Sequence, residues 1–302
     1  MLESKLTLKH GFIQSFKALF RILDISGWQK WSGAAFLGFA FALSQGNSFS
    51  LLQLQGLAIG VPLVLCYNQS INDCFDVDID TVKEKMTGKE LIVSNTISKK
   101  IALSVTYSFL LIGLLSTYLS SASLFALCLS AAILGTLYSA PPFRLKMMYP
   151  FSTLIQFFGC FLPFLAGVAA ISTLTLSAIV ISSVFAAIAM IHRFDHEIGN
   201  YRVDFQTGKK TIAVIRGLRT AVWFRKLSIL IGVAEFIAFF FLGWLNFVLL
   251  FLFGLYLFMV IFQEVWIRFL PPPLKAKFDT LMMLSSYFLL LVVLLLYRMN
   301  YV

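Results

Sequence analysis

Charge is what this 302-residue chain has least of: Asp, Glu, Lys and Arg make up 13% of it, where a soluble protein carries roughly 25%. Too few polar side chains are present to cover a surface facing water. Cysteine is also scarce. The four thiols (Cys66, Cys74, Cys128 and Cys160) are scattered in or beside apolar stretches without CxxC spacing, which excludes a disulfide scaffold and reads as unpaired core cysteines. Low charge together with 32 Phe excludes a disordered chain. What is abundant is apolar: 59% of residues, with a mean hydropathy of +0.88, arranged in repeated runs about 20 residues long. That is the pattern of a polytopic membrane bundle.

Nine such runs lie near 31–48, 51–71, 101–119, 122–139, 151–171, 174–192, 226–243, 245–264 and 278–297. Hydrocarbon offers the backbone no hydrogen-bond partners, so each run is expected to be a helix. Pro141, Pro142, Pro150 and Pro271 to Pro273 fall outside or at the ends of the runs, where a missing N–H costs least. In residues 1–30, Lys5, Lys9, Lys17 and Arg21 interrupt any signal-peptide core, and Leu6, Phe12, Ile13, Phe16 and Phe20 recur at near-helical spacing. This segment reads as an amphipathic helix on the membrane surface. The expected fold is all-α: one membrane-embedded domain over 1–302, with nine transmembrane helices.

The net charge of +10 would suit a nucleic-acid partner, but its placement argues for a lipid one. With the N-terminus in the cytoplasm, 23 of the 24 lysines and arginines fall on that side and only Arg298 on the other. The opposite connections, Gln45 to Ser50 and Ser120 to Ser121, carry no charge. Such a split predicts N-terminus in and C-terminus out. Thirteen of the 14 acidic residues lie at the same face, Glu235 inside the seventh run being the exception, so the polar chemistry is expected at one end of the bundle.

There, residues 67 to 80 read Tyr-Asn-Gln-Ser-Ile-Asn-Asp-Cys-Phe-Asp-Val-Asp-Ile-Asp. At 100° per residue Asp73, Asp76 and Asp80 fall within about 60° of one another, while Asp78 falls on the far side. Asn68 and Asn72 extend the polar flank. Stacked carboxylates at a membrane-embedded helix end repel one another unless a cation is present. The sixth run ends on a second cluster, and a shift of 124 residues places Asp73, Asp76 and Asp80 on Glu197, Asn200 and Asp204. The same shift carries Asn72 onto His196 and Lys85 onto Lys209, so halves near 31–139 and 151–264 read as a pseudo-repeat. Oxygen-rich clusters suit Mg2+ or Mn2+, and Mg2+ completes its shell with water and substrate phosphates. Lys85, Lys89, Lys209, Lys210, Arg144 and Lys146 would accompany a phosphorylated substrate.

These residues resemble the UbiA superfamily of intramembrane prenyltransferases. Its NDxxDxxxD motif stands as Asn72, Asp73, Asp76 and Asp80; Tyr138-Ser139-Ala140-Pro141-Pro142-Phe143-Arg144-Leu145-Lys146 looks like its YSxPPxRxK segment; and Glu197 to Asp204 with Gly208-Lys209-Lys210-Thr211 looks like its second acidic motif. The resemblance implies nine helices around a central cavity, in which two Mg2+ ions hold the diphosphate of an isoprenoid donor. Asp73, Asp76, Asp80, Glu197, Asn200 and Asp204 would bind metal. Tyr138, Arg144, Lys146, Lys209, Asn68, Asn72 and Arg21 would serve the diphosphate, with Asp73, Asp76, Tyr138 and Lys146 central to catalysis. The loop Lys85 to Ile92 lacks the Asn-Arg-Pro-Leu frequent in the family, and Asn200 stands where Asp is usual.

The expected reaction is Mg2+-dependent transfer of a prenyl group to an aromatic quinone precursor or another lipophilic acceptor, releasing diphosphate. Asp195, His192 or His196 could take the acceptor's proton. Phe157, Phe158, Phe161 and Phe164 could shield the cation, although such a stripe more commonly packs or faces lipid. Two alternatives remain at this stage: a membrane terpene cyclase with the same diphosphate machinery, and a secondary transporter built around intramembrane polar groups such as Glu235.

Overall fold

A computed structural model describes residues 25–79, 81–82, 98–266 and 287–300. Among these, the regular elements are helical: α1 (Ile25–Ser44), α2 (Leu51–Phe75), α3 (Lys99–Ser120), α4 (Ala122–Ser139), α5 (Phe151–Ala169) and α6 (Leu176–Gly199). They continue as α7 (Tyr201–Gln206), α8 (Ile212–Arg216), α9 (Leu218–Phe241), α10 (Phe247–Trp266) and α11 (Tyr287–Arg298). Helices α2 to α6 are long and apolar enough to cross a membrane. The other four predicted runs overlap α1, α9, α10 and α11 among the described residues. Helix α9 begins at Leu218, ahead of the predicted 226, because Gly217 with φ +89° sets its start. The surface helix predicted over 1–30 lies largely outside the described residues.

Five helices form the frame of the site. Helix α1 packs on α2 and α5, α2 on α4, α4 on α5, and α5 on α6, with α9 laid against α6. Small residues permit the closest crossings, as expected where lipid competes for every apolar contact. A Cβ on Gly38 would collide with the backbone carbonyl of Phe164, and one on Gly167 with that of Ala35, so α1 and α5 touch backbone to backbone. Gly56 and Gly60 of α2 likewise meet Ser116, Thr117 and Ser120 of α3. Further from the site, Phe164 stacks on Phe185 at 5.1 Å and meets Phe253 edge-on at 5.9 Å, forming a dry aromatic core.

Pro62 and Pro163 lie inside helices, contrary to the pattern of the other six prolines. At Pro62 the structure shows how this is accommodated. A proline supplies no N–H to the carbonyl four residues back and crowds it. Here the preceding turn, Gly56–Gly60, widens to π-helix, and the carbonyl of Ala58 accepts a hydrogen bond from the Tyr287 hydroxyl at 3.2 Å.

Both acidic helices end the same way. Helix α2 stops at Phe75, with Asp76 at φ −99°, ψ 5°; α6 stops at Gly199, with Asn200 at φ −102°, ψ 13°. Helix resumes one residue later in each case, at residue 77 and at Tyr201. The single helical face expected for Asp73, Asp76 and Asp80 is therefore broken at Asp76, which leaves the helix as its cap.

Candidate active site

Around these breaks lies a cavity of about 530 Å3. Helix α2 contributes Asn68, Gln69, Asn72 and Asp73, followed by the cap Asp76; α4 contributes Tyr138; and α6 contributes His192, Arg193 and His196, followed by Asn200, Asp204 and Lys209. Leu65, Ala131, Leu134, Gly135, Ile155 and Gly159 line an apolar portion. Two turns meet at this site: Lys210 donates its backbone N–H to the carbonyl of Met147 at 2.9 Å, pairing the α4–α5 connection with the α7–α8 connection. The first carries Lys146 and the second Lys209.

Lys146 is almost fully buried, pairs with Asp76, and donates to Asn72 Oδ1 at 3.0 Å; the Ser139 hydroxyl donates to the same oxygen at 3.1 Å. Burial pulls the Lys146 ammonium below its usual value, while the Asp76 carboxylate opposes that pull. Lys209 sits 3.4 Å from Asp204. Asn200 is hydrogen-bonded to His196 Nε2 at 2.9 Å. Among the described residues Asn68 Oδ1 is buried without a hydrogen-bond partner, and it lies where a Cβ on Gly135 would be, so only glycine leaves room for it.

Two residues expected at the site have partners beside the cavity. Arg144 does not line the cavity. In left-handed backbone (φ 43°) it forks onto both oxygens of Asp78, at 2.7 and 2.5 Å, and donates to the Phe75 carbonyl at 2.9 Å. It thereby clamps the end of α2 to the α4–α5 connection, and the guanidinium holds the Asp78 carboxyl below the usual range. Glu197 is also absent from the lining. It is wholly buried, pairs with Arg193 Nε at 2.7 Å, and accepts from the backbone N–H groups of Ile212 at 3.0 Å and Ala213 at 3.5 Å. The reason is angular: Glu197 faces the start of α8, so its charge is spent on that helix end and on Arg193.

Arg21, Asp80, Lys85 and Lys89 lie outside the described residues. Among the candidate proton acceptors, His192 and His196 line the cavity, whereas Asp195 does not and pairs instead with Arg225 at 2.7 Å. The Phe157 to Phe164 stripe does not line it either; Trp31 and Tyr138 are its aromatic walls. Trp31, Gln69, Gln156 and Arg193 are lining residues that the motifs left unmarked, since only tertiary packing turns them inward.

The site offers oxygen donors on two sides and cations between them. Among the described residues no three acidic, His or Cys groups converge as a ready-made metal cage. A hard divalent ion such as Mg2+ takes one or two protein carboxylates and finishes its shell with water and phosphate oxygens.

This chain is similar to known proteins. Chloroplastic chlorophyll synthases match this chain, that of Oryza sativa subsp. japonica at 29% identity over 172 residues, or 54% of this chain and 44% of the relative. That of Arabidopsis thaliana is 27% identical over the same length. The chain thus spans less than half the length of the curated relatives it matches. Among solved structures, a UbiA homolog from Archaeoglobus fulgidus bound to DMAPP and Mg2+ superposes with a TM-score of 0.70 at 20% identity, covering 91% of this chain and 98% of that one. The UbiA prenyltransferase family matches over residues 33–288. By this match, which takes in most of the described helices and every lining residue of the cavity but Trp31, the chain belongs to the UbiA prenyltransferase family.

Proposed function

We propose that this protein transfers a prenyl group from an isoprenyl diphosphate to a lipophilic acceptor, with Mg2+ as cofactor, at a cavity that opens to the cytoplasm. The observation that carries this reading is the convergence of Asp73, Asp76, Asn200 and Asp204 with Lys146, Lys209 and Tyr138 on one cavity whose remaining lining is partly apolar. Further support comes from the relatives: the Archaeoglobus fulgidus homolog was solved with DMAPP and with GPP, each alongside Mg2+. The reading takes all nine runs as crossings, with the N-terminus in and the C-terminus out. Matching helix breaks at Asp76 and Asn200 support the pseudo-repeat.

Asp73 and Asp76 on one side, and Asn200 and Asp204 on the other, would hold the metal; Glu197 is left out of this set. A Mg2+ ion held there would supply positive charge against the departing diphosphate. The chain's own groups do the rest. Lys146 and Lys209 add positive charge where the leaving group gains negative charge, and the Tyr138 hydroxyl donates to it. Leu65, Ala131, Leu134 and Ile155 keep water from the allylic carbon, and the faces of Trp31 and Tyr138 favour positive charge there without bonding to it. The acceptor attacks that carbon and loses a proton, for which His192 and His196 are the imidazoles at hand.

Membranes supplied with C10 to C20 diphosphates and pooled quinone precursors, lipids and alcohols, read by mass spectrometry, should yield a prenylated product. Asp73→Ala should abolish it while leaving the protein folded in the membrane; near-normal turnover would overturn the assignment of Asp73. Cyclised hydrocarbon from diphosphate alone would establish the cyclase alternative. Glu235, the best support for a transporter, accepts a hydrogen bond from Ser183 at 2.8 Å across the α6–α9 contact and is not part of the cavity lining.

A further inference from the structure

The family motifs leave Arg193 unassigned, yet it is a buried cation of the cavity. It sits on α6, is 6% exposed, and lines the cavity. Its three nitrogens have different circumstances. Nε pairs with Glu197 at 2.7 Å. Nη1 donates to the Tyr138 hydroxyl oxygen at 3.0 Å. Nη2 is buried with no hydrogen-bond partner among the described residues. A guanidinium nitrogen cut off from water and left unpaired is costly unless something else uses it.

We propose that Arg193 is a diphosphate-binding residue, held in place by Glu197. This rests on the prenyl-diphosphate reading above and extends it by one residue. Glu197 is itself anchored by the N–H groups of Ile212 and Ala213, so the α8 end, Glu197 and Arg193 form a fixed chain leading into the cavity. Because Tyr138 accepts from Nη1, its own O–H hydrogen is free to be donated elsewhere. Arg193 thus supplies one anion donor through Nη2 and orients a second through Tyr138. The cavity's two lysines are engaged differently: Lys146 with Asp76 and Lys209 with Asp204, both carboxylates that the proposed reaction gives to metal. Arg193 instead makes its ion pair with Glu197, a carboxylate outside the lining. A planar fork so held suits the non-bridging oxygens of a diphosphate.

The test is binding of inorganic pyrophosphate with Mg2+ to the full chain in lipid nanodiscs. Arg193→Gln should weaken it about 10-fold to 100-fold, the range of a charge-assisted hydrogen bond. Arg193→Lys should recover only part of the loss, because a point charge cannot both pair with Glu197 and reach Tyr138. Where Arg193→Gln alone fails to fold, with Glu197 left buried and unpaired, the double variant Arg193→Gln/Glu197→Gln removes both charges and gives the same reading. Wild-type affinity in a folded variant would overturn the proposal while leaving prenyl transfer intact. Failure of the wild-type protein to bind pyrophosphate would overturn both.

Discussion

At the scale of single residues, burial separates two cations, Lys146 and Arg144, that the sequence presents as equals. Lys146 is enclosed between Asp76 and Asn72, so its charge acts at short range and with little water to screen it. Lys146→Met should lower kcat by about 100-fold or more, since it removes charge from the leaving-group side of the site. The check is single-turnover kinetics beside a thermal melt, the melt separating loss of chemistry from loss of fold. Arg144, equally prominent in the motif, has a different task. It holds the end of α2 through Asp78 and the Phe75 carbonyl, and so fixes where Asp76 leaves the helix.

At the scale of helices, the frame depends on places where no side chain fits. Gly38→Val should destabilise the protein by about 3 kcal/mol, because the new methyl groups meet the Phe164 backbone, which cannot yield as a side chain could. Gly254→Ala offers the contrast. Among the described residues no atom lies within 4 Å of a Cβ placed there, and the helix gains propensity, so the variant should be neutral or slightly stabilised. Thermal melts of the two in one lipid would decide the matter. Tyr287→Phe should cost about 1 kcal/mol, the price of leaving the Ala58 carbonyl unpaired beside Pro62. Pyrophosphate binding should be unchanged in that variant, because Tyr287 is not among the residues of the cavity.

At the scale of the whole molecule, orientation in the membrane is the property most open to test. All four native cysteines are buried, so a single added thiol can be read without background. An impermeant maleimide should label Gln45→Cys from outside the cell, and Phe143→Cys, an exposed residue of the α4–α5 connection, only after permeabilisation. The reverse pattern would invert the proposed topology and put the cavity on the far side.

Apolar run length and charge placement were sufficient to identify a helical membrane bundle with its polar chemistry at one end, because both follow from transfer energies that act residue by residue. Spacing likewise picked out two acidic clusters, residues of which line one cavity, since the helix period converts sequence distance into direction as far as the helix runs. It failed where the helix stopped. At Asp76 the backbone departs from the period, and around Glu197 direction depends on the neighbouring α8, which no local pattern encodes. Only packing decided that Arg144 binds Asp78 outside the cavity, that Arg193 stands inside it with Tyr138, and that Trp31, Gln69 and Gln156 complete its wall. Direction along a helix is a local property, whereas facing a shared cavity is a property of five helices at once.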